Sequence, residues 1–175
     1  AFIGFKNFLR LFQDEVFLKS LAITLKYVLI SVPLKLTFAL LVAYLLTRPS
    51  RMVTFYRSLY YLPSLVGGSV AVALVWKQLF ARKGLFNSVL ANMDMSTINW
   101  FGNQKLALYP LILMSVWQFG SSMIIFAAGL KEIPVSYYEA ARIDGARGYQ
   151  SFFRITLPCL SPIILYNLIM HCLLY

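Results

Sequence analysis

Few side chains in this sequence have the type and spacing to do chemistry, and most of those argue against catalysis. His171 is the one histidine, and no second ligand stands four residues away to pair with it on a helix face. Cys159 and Cys172, if they share a helix, lie about 20 Å apart and cannot bridge. They read as small apolar fillers. No nucleophile–base set occurs, and Glu139, three residues after Ser136, is better explained as a helix cap than as a general base. The chain is not expected to be an enzyme. What remains is recognition. Lys35 is a cation near the middle of an apolar run, where an ammonium costs about 2.5–3.5 kcal/mol on membrane-insertion scales. Such a residue faces a bundle interior or a wet cavity, or sits in an internal ion pair. Gln118 and Asn167 have amides that could hydrogen-bond a solute, and Trp76, Trp117 and Tyr166 offer flat faces for stacking. Interhelical packing is the plainer role for each of these, and for His171 a helix–helix hydrogen bond.

The elements that must position these residues are membrane helices. The 175 residues are 60% hydrophobic and 13% charged, with a mean hydropathy of +0.72, against about 25% charged in a soluble domain. The chain reads as all-α, a polytopic transmembrane bundle. Four segments approach the roughly 20 apolar residues that a crossing requires: 27–47, 58–76, 106–130 and 155–175. None alternates strictly in the manner of a barrel strand. Each carries a helix breaker: Pro33; Pro63 with Gly67 and Gly68; Pro110 with Gly120; Pro158 with Pro162. In lipid, such residues persist where neighbouring helices or a wet cavity satisfy the freed backbone. Gly67 with Ala71, and Ser69 with Ala73, have the small-residue spacing that lets helices approach closely. The run opens on Ala1 and closes inside an apolar stretch, so the expectation is a single transmembrane domain, 1–175, truncated at both ends.

The net charge of +10 does not make this a nucleic-acid binder. Its cations are scattered singly or in pairs between apolar runs rather than clustered on one face. They suit anionic lipid headgroups beside membrane segments. Lys and Arg divide almost evenly between the two sets of loops, so charge alone leaves the orientation open. In the connection 81–105, the stretch from Gly84 to Ala91 suits the membrane surface, and Trp100 suits an interfacial anchor.

The connection 131–156 is the informative one. Ser136 and Glu139 have the spacing of a capping box, with Pro134 just upstream. Ala140, Ala141 and Ile143 continue a short helix, Asp144 can cap or pair locally, and Gly145 stands where a left-handed C-terminal cap is wanted. From Gly148 to Ile155, residues Tyr149, Phe152, Phe153 and Ile155 are spaced for one helix face. A two-turn helix with a small flat face, held in a loop between two spans, suits insertion into a groove on another protein. A solvated loop helix is the alternative.

These residues carry a family resemblance. Glu139, Ala140, Ala141, Arg142, Ile143, Asp144 and Gly145, followed by Ile155-Thr-Leu-Pro158, resemble the EAA loop of ABC importer permeases, in the wording of the maltose and glycerol-3-phosphate type. Ser31-Val-Pro-Leu, Phe55-Tyr-Arg with Leu62-Pro63, Gly84-Leu-Phe-Asn and Gly129-Leu-Lys-Glu-Ile-Pro134 fall in that family's order, so the likeness covers essentially the whole chain. The resemblance implies a permease subunit of a binding-protein-dependent importer in a bacterial or archaeal cytoplasmic (inner) membrane. It implies that 131–156 is a cytoplasmic coupling loop, with Glu139, Ala140, Ala141, Asp144 and Gly145 docking on an ATP-hydrolysing subunit. The connection 48–57 would share that side and 81–105 would face outside. Implied partners are two ATP-binding subunits, a homologous second permease, an extracytoplasmic solute-binding protein and membrane lipid. ATP and Mg²⁺ would belong to the ATPase, since no phosphate-binding Gly-x-x-x-x-Gly-Lys-Ser/Thr loop is present here. The substrate would be a sugar or oligosaccharide, with Lys35, Gln118, Asn167 and Tyr166 as candidate pathway residues. Permeases of this type resemble one another in having a neutral residue where Lys35 stands, a departure that points to an anionic sugar. The competing expectation is a secondary transporter or channel working without ATP. That would call for membrane acids or a filter loop, and the four spans hold no Asp or Glu.

Overall fold

A computed structural model describes residues 4–47 and 52–174. Among these residues every regular element is helical. The ends of the chain and residues 48–51, which open the connection 48–57, lie outside the described residues.

A short α1 (Lys6–Gln13) leads into α2 (Glu15–Leu45), the one described helix long and apolar enough to cross a membrane unbroken. Its start is set locally. Asp14 Oδ1 accepts from the Val16 amide at 2.9 Å, and Glu15 places a negative charge in the first turn, where the helix dipole favours it. The helix therefore begins well before the apolar run at 27–47, because helical backbone does not wait for lipid. Pro33 lies inside α2 without ending it.

The other three apolar runs are each broken. α3 (Val53–Val66) and α4 (Val70–Leu79) meet at 98°, α6 (Leu108–Trp117) and α7 (Gly120–Glu132) at 44°. The segment Gly148–Cys159 meets Ser161–Leu174 at 62°. Four spans result only if each bent pair counts as one. The 98° break corrects the expected small-residue stripe: Gly67 ends α3 and Ser69 caps α4, its Oγ accepting from the Val72 amide at 3.3 Å. Gly67 and Ala71 thus lie on different helices, and Ala71 and Ala73 are exposed. Gly67 instead gives room to Gln118. A Cβ there would fall 2.2 Å from the Gln118 amide carbon.

The core is built by α2, α7 and the final helix. Val32, Leu36, Ala39 and Ala43 of α2 pack against Phe119, Met123, Phe126 and Ala127. α3 joins at Gly120, where a Cβ would come within 2.3 Å of the Tyr60 carbonyl oxygen. No side chain fits, and the two backbones meet directly. Arg57 of α3 donates from Nη2 to the Leu46 carbonyl at 3.1 Å, sealing the end of α2.

Between the second and third apolar runs lies α5 (Leu85–Asn92). Asn87, 1% exposed, donates to the carbonyls of Ala81 and Ile98 and accepts from the Ile98 amide. Trp100 is half-buried against Phe80, with 5.4 Å between rings. Trp100, expected as an interfacial anchor, thus belongs to a ring cluster with Phe80 and Phe86.

Candidate functional site: a presented loop helix and a buried polar cluster

Two sites emerge. The first is the connection after α7. Here α8 (Val135–Ile143) is followed by α9 (Gly148–Ser151), a π-helical turn (Phe152–Thr156), α10 (Leu157–Cys159) and α11 (Ser161–Leu174). The π turn arises where Pro158 lacks an amide proton. The Leu157 amide reaches back five residues to the Phe152 carbonyl, and the helix widens by one residue.

α8 ends as its sequence suggests. Gly145 has φ +75°, the Ala146 amide donates to the Ala141 carbonyl at 2.8 Å, and the Gly145 amide to Arg142 at 3.0 Å. This is a complete Schellman motif. The start differs from expectation. Pro134 is the N-cap, and Ser136 makes no capping bond because its own backbone is already helical. The Ser136–Glu139 capping box does not form. A corresponding contact forms at α9 instead, where the Arg147 amide donates to Gln150 Oε1 at 2.7 Å.

The loop is tied to the bundle from beneath. Tyr138 OH and Thr156 Oγ1 are 2.8 Å apart, and Thr156 is 1% exposed. The Tyr44 ring of α2 meets Phe152 at 5.2 Å. Nothing in the composition of 131–156 announces these ties, although an aromatic and a hydroxyl eighteen residues apart bracket the loop. The outward surface carries apolar side chains, Val135, Ile143 at 87% exposure, Tyr149 and Phe153, among exposed charges at Arg142, Arg147 and Arg154. Glu139, Ala140 and Asp144 are exposed, and Ala141 is half-buried. A shallow recess beside them is lined by Ala141, Asp144, Gly145, Gln150 and Arg154. The face expected from Tyr149, Phe152, Phe153 and Ile155 is divided: Phe152 and Ile155 turn inward, Tyr149 and Phe153 outward.

The second site lies inside the bundle. Lys35 is buried on the packed face of α2, with Ser31 one turn before it. Asn167 and His171 are buried one turn apart on α11, and Ser122 of α7 is buried beside α11. Ser122 Oγ and His171 Nε2 are 2.7 Å apart, the helix–helix bond expected of His171. Asn167 Nδ2 donates back to the Ile163 carbonyl at 3.0 Å. The other candidate pathway residues lie elsewhere. Gln118 sits at the α6–α7 bend over Gly67, donating to its carbonyl at 3.5 Å. Tyr166 is half-exposed on another face of α11. Trp76 and Trp117 meet at 5.8 Å beside an apolar groove of about 510 Å³ that Phe38, Tyr60, Leu113 and Phe119 also line.

Residues 16–173 match the family of binding-protein-dependent transport system inner membrane components. The chain belongs to this family. It is 52% identical over 171 residues to the probable ABC transporter permease protein YesP of Bacillus subtilis, covering 97% of this chain and 55% of that protein. It is 33% identical to the lactose transport system permease protein LacF of Rhizobium radiobacter, covering 96% of this chain and 57% of that one. Its fold superposes on a bacterial ABC transporter involved in the import of the acidic polysaccharide alginate, at 26% identity in two crystal structures. The TM-scores are 0.80 and 0.83, and about three fifths of the matched chain is covered. In the second, that transporter is in complex with an alginate pentasaccharide-bound periplasmic protein. The chain spans a little over half the length of the curated relatives it matches. Members of the family are inner-membrane transport components, and these relatives are permeases rather than enzymes.

Proposed function

We propose that the full protein is a multi-pass permease subunit of an ATP-driven importer for sugars or oligosaccharides, lodged in the cytoplasmic (inner) membrane. Residues 131–156 are its cytoplasmic coupling loop, and 81–105 faces outside. Glu139, Ala140, Ala141, Asp144 and Gly145 dock on an ATP-binding subunit, which holds ATP and Mg²⁺. A homologous second permease supplies the other half of the pathway, and a solute-binding protein delivers the substrate. Lys35 and Asn167 belong to that pathway together with Gln118 and Tyr166, and Lys35 favours anionic sugars.

The observation that carries this reading is the form of α8. It is rigidly terminated, tied from below through Tyr138 to the π turn that packs on α2, and presents exposed apolar side chains between exposed charges. Exposed Ile143 and Val135 on so constrained a helix suit a groove in a partner. The test uses the complete transporter in proteoliposomes. Gly145→Val puts a β-branched residue at positive φ, a strain of about 1–2 kcal/mol. Insertion and folding of the permease should survive, while uptake per ATP hydrolysed falls, or the ATPase no longer co-purifies. Uptake at the wild-type rate would remove the coupling role from this loop. Uptake without ATP would favour a secondary transporter or channel.

A further inference from the structure

α2 is longer than a membrane requires. Its 31 residues make about 46 Å of helix, against about 40–45 Å for a whole bilayer with its headgroups. Its apolar run begins only at Tyr27. Asp14, at its head, therefore stands about 20 Å beyond that run, and the headgroup layer accounts for roughly 5–8 Å of this. In the orientation given above, α1 and the first turns of α2 project into the aqueous space outside.

α1 is not built to face water on all sides. Leu9, Leu11 and Phe12 fall on one side of its eight residues, and Asn7, Arg10 and Gln13 on the other. Leu9 is 65% exposed and Phe12 64%, although the Phe12 ring also meets Phe17 of α2 edge-on at 6.2 Å. Val16, in the first turn of α2, is exposed as well. Asp14 fixes the junction. Its carboxylate accepts from the Val16 amide, and its own amide donates to the Leu11 carbonyl at 3.1 Å. The two helices thus meet in a defined turn that presents α1.

Lipid does not reach this height, so the apolar side calls for a protein. These side chains make a patch of at most a few hundred Å². Permanent subunit interfaces bury about 2,000 Å² or more and are more apolar throughout. A small patch with Arg10 and Gln13 beside it suits a partner that docks and leaves. Of the partners in the permease reading, the solute-binding protein is the one that lies outside and must come and go. We propose that α1, through Leu9 and Phe12 with Arg10 at the edge, is a docking surface for the solute-binding protein. This rests on the permease reading and adds the residues that partner touches.

The test uses the full transporter with its ATPase and second permease in lipid nanodiscs. The probe is its own solute-binding protein, purified with sugar bound, and ATP hydrolysis is followed as that protein is titrated. Leu9→Gln combined with Phe12→Gln keeps good helix formers in α1. The pair should raise the concentration of binding protein giving half-maximal stimulation by roughly tenfold. The maximal and unstimulated rates should not change. Arg10→Glu should raise the same concentration by about threefold at low salt, an effect that fades at high salt. Hydrogen exchange at the amides of 9–13 should be fast in the free transporter, as in a short exposed helix, and slow when binding protein is added.

An unchanged titration in the double variant overturns the proposal. So does slow exchange before binding protein is added, with a lower unfolding midpoint in the double variant, which gives the surface to permanent packing within the transporter. Quenching of Leu9→Trp by brominated lipid, above the wild-type background, gives it to the membrane and overturns the proposal too. In each of these cases the binding protein still stimulates the wild type, and the permease reading stands. A wild-type transporter that its binding protein fails to stimulate refutes that reading, and this docking surface with it.

Discussion

The loop 131–156 and the core formed by α2, α7 and α11 solve opposite problems with the same polypeptide. In the loop, polar contacts are turned inward to fix the shape. The Schellman bonds, the Tyr138–Thr156 pair and the Arg147–Gln150 contact fix the backbone and leave Val135, Ile143, Tyr149 and Phe153 exposed outside. In the core, apolar side chains fix the shape and a small polar group is enclosed with part of its hydrogen-bonding capacity unspent. A region built the first way is suited to being gripped by a partner. One built the second way is suited to closing around something. The contrast is also one of stability, since the loop can be perturbed locally while the core cannot.

The largest effect should come from Gly120→Val. The new Cβ would press against the Tyr60 carbonyl, forcing α3 and α7 apart at a cost of about 3 kcal/mol. Little assembled transporter should be recovered, and its unfolding midpoint in detergent should drop. Ser122→Ala comes next. It leaves the whole His171 imidazole without a partner and should cost about 1–3 kcal/mol of the same global stability. Adding His171→Leu to that variant should recover part of the loss, because removing both polar partners is cheaper than stranding one. A double variant less stable than Ser122→Ala would show that His171 is held by something else.

Tyr138→Phe should be smaller, about 1 kcal/mol, and of a different kind. The global midpoint should hold, amide exchange in α8 should quicken, and sugar moved per ATP should fall. If the midpoint fell as far as it does for Ser122→Ala, the distinction between the two regions would collapse. Gln150→Ala is the smallest, about 0.5 kcal/mol confined to α9, detectable by exchange at the amides of 147–151.

What the sequence made legible follows the same division. The close of α8 was readable at Gly145, because only a residue free to take positive φ serves there, and the spacing from Ala141 does the rest. The helical bundle was readable from apolar runs. Their breaks were partly located. Gly67 and Gly68 stand at the 98° break, and Gly120, Pro158 and Pro162 lie within two residues of the others. Pro33, however, lies inside an unbroken helix, and Pro63 and Pro110 lie inside α3 and α6. A kink depends on which neighbour supplies room or a hydrogen bond, and that is tertiary information. Ser136 misled for a related reason: its spacing to Glu139 fits a cap, but the turn at Pro134 starts the helix two residues earlier. Lys35 was conspicuous as a charge in an apolar run. Its companions Ser31 and Ser122 were not, since a serine in a membrane helix is unremarkable until a second helix encloses it.

Asn87 carries a consequence for how this chain can vary. Its amide holds Ile98 through two hydrogen bonds, one in each direction, the pattern by which two backbone residues pair in a sheet. The segment between them is therefore a ring closed by one side chain. Closing a longer ring costs little, about 0.6 kcal/mol for each doubling of its length. The stretch from Met93 to Thr97, after α5 ends, is thus the place where this architecture can accept inserted residues without disturbing the helices on either side. Asn87→Ala should remove that tolerance, turning an insertion the wild type absorbs into one that loosens the whole connection.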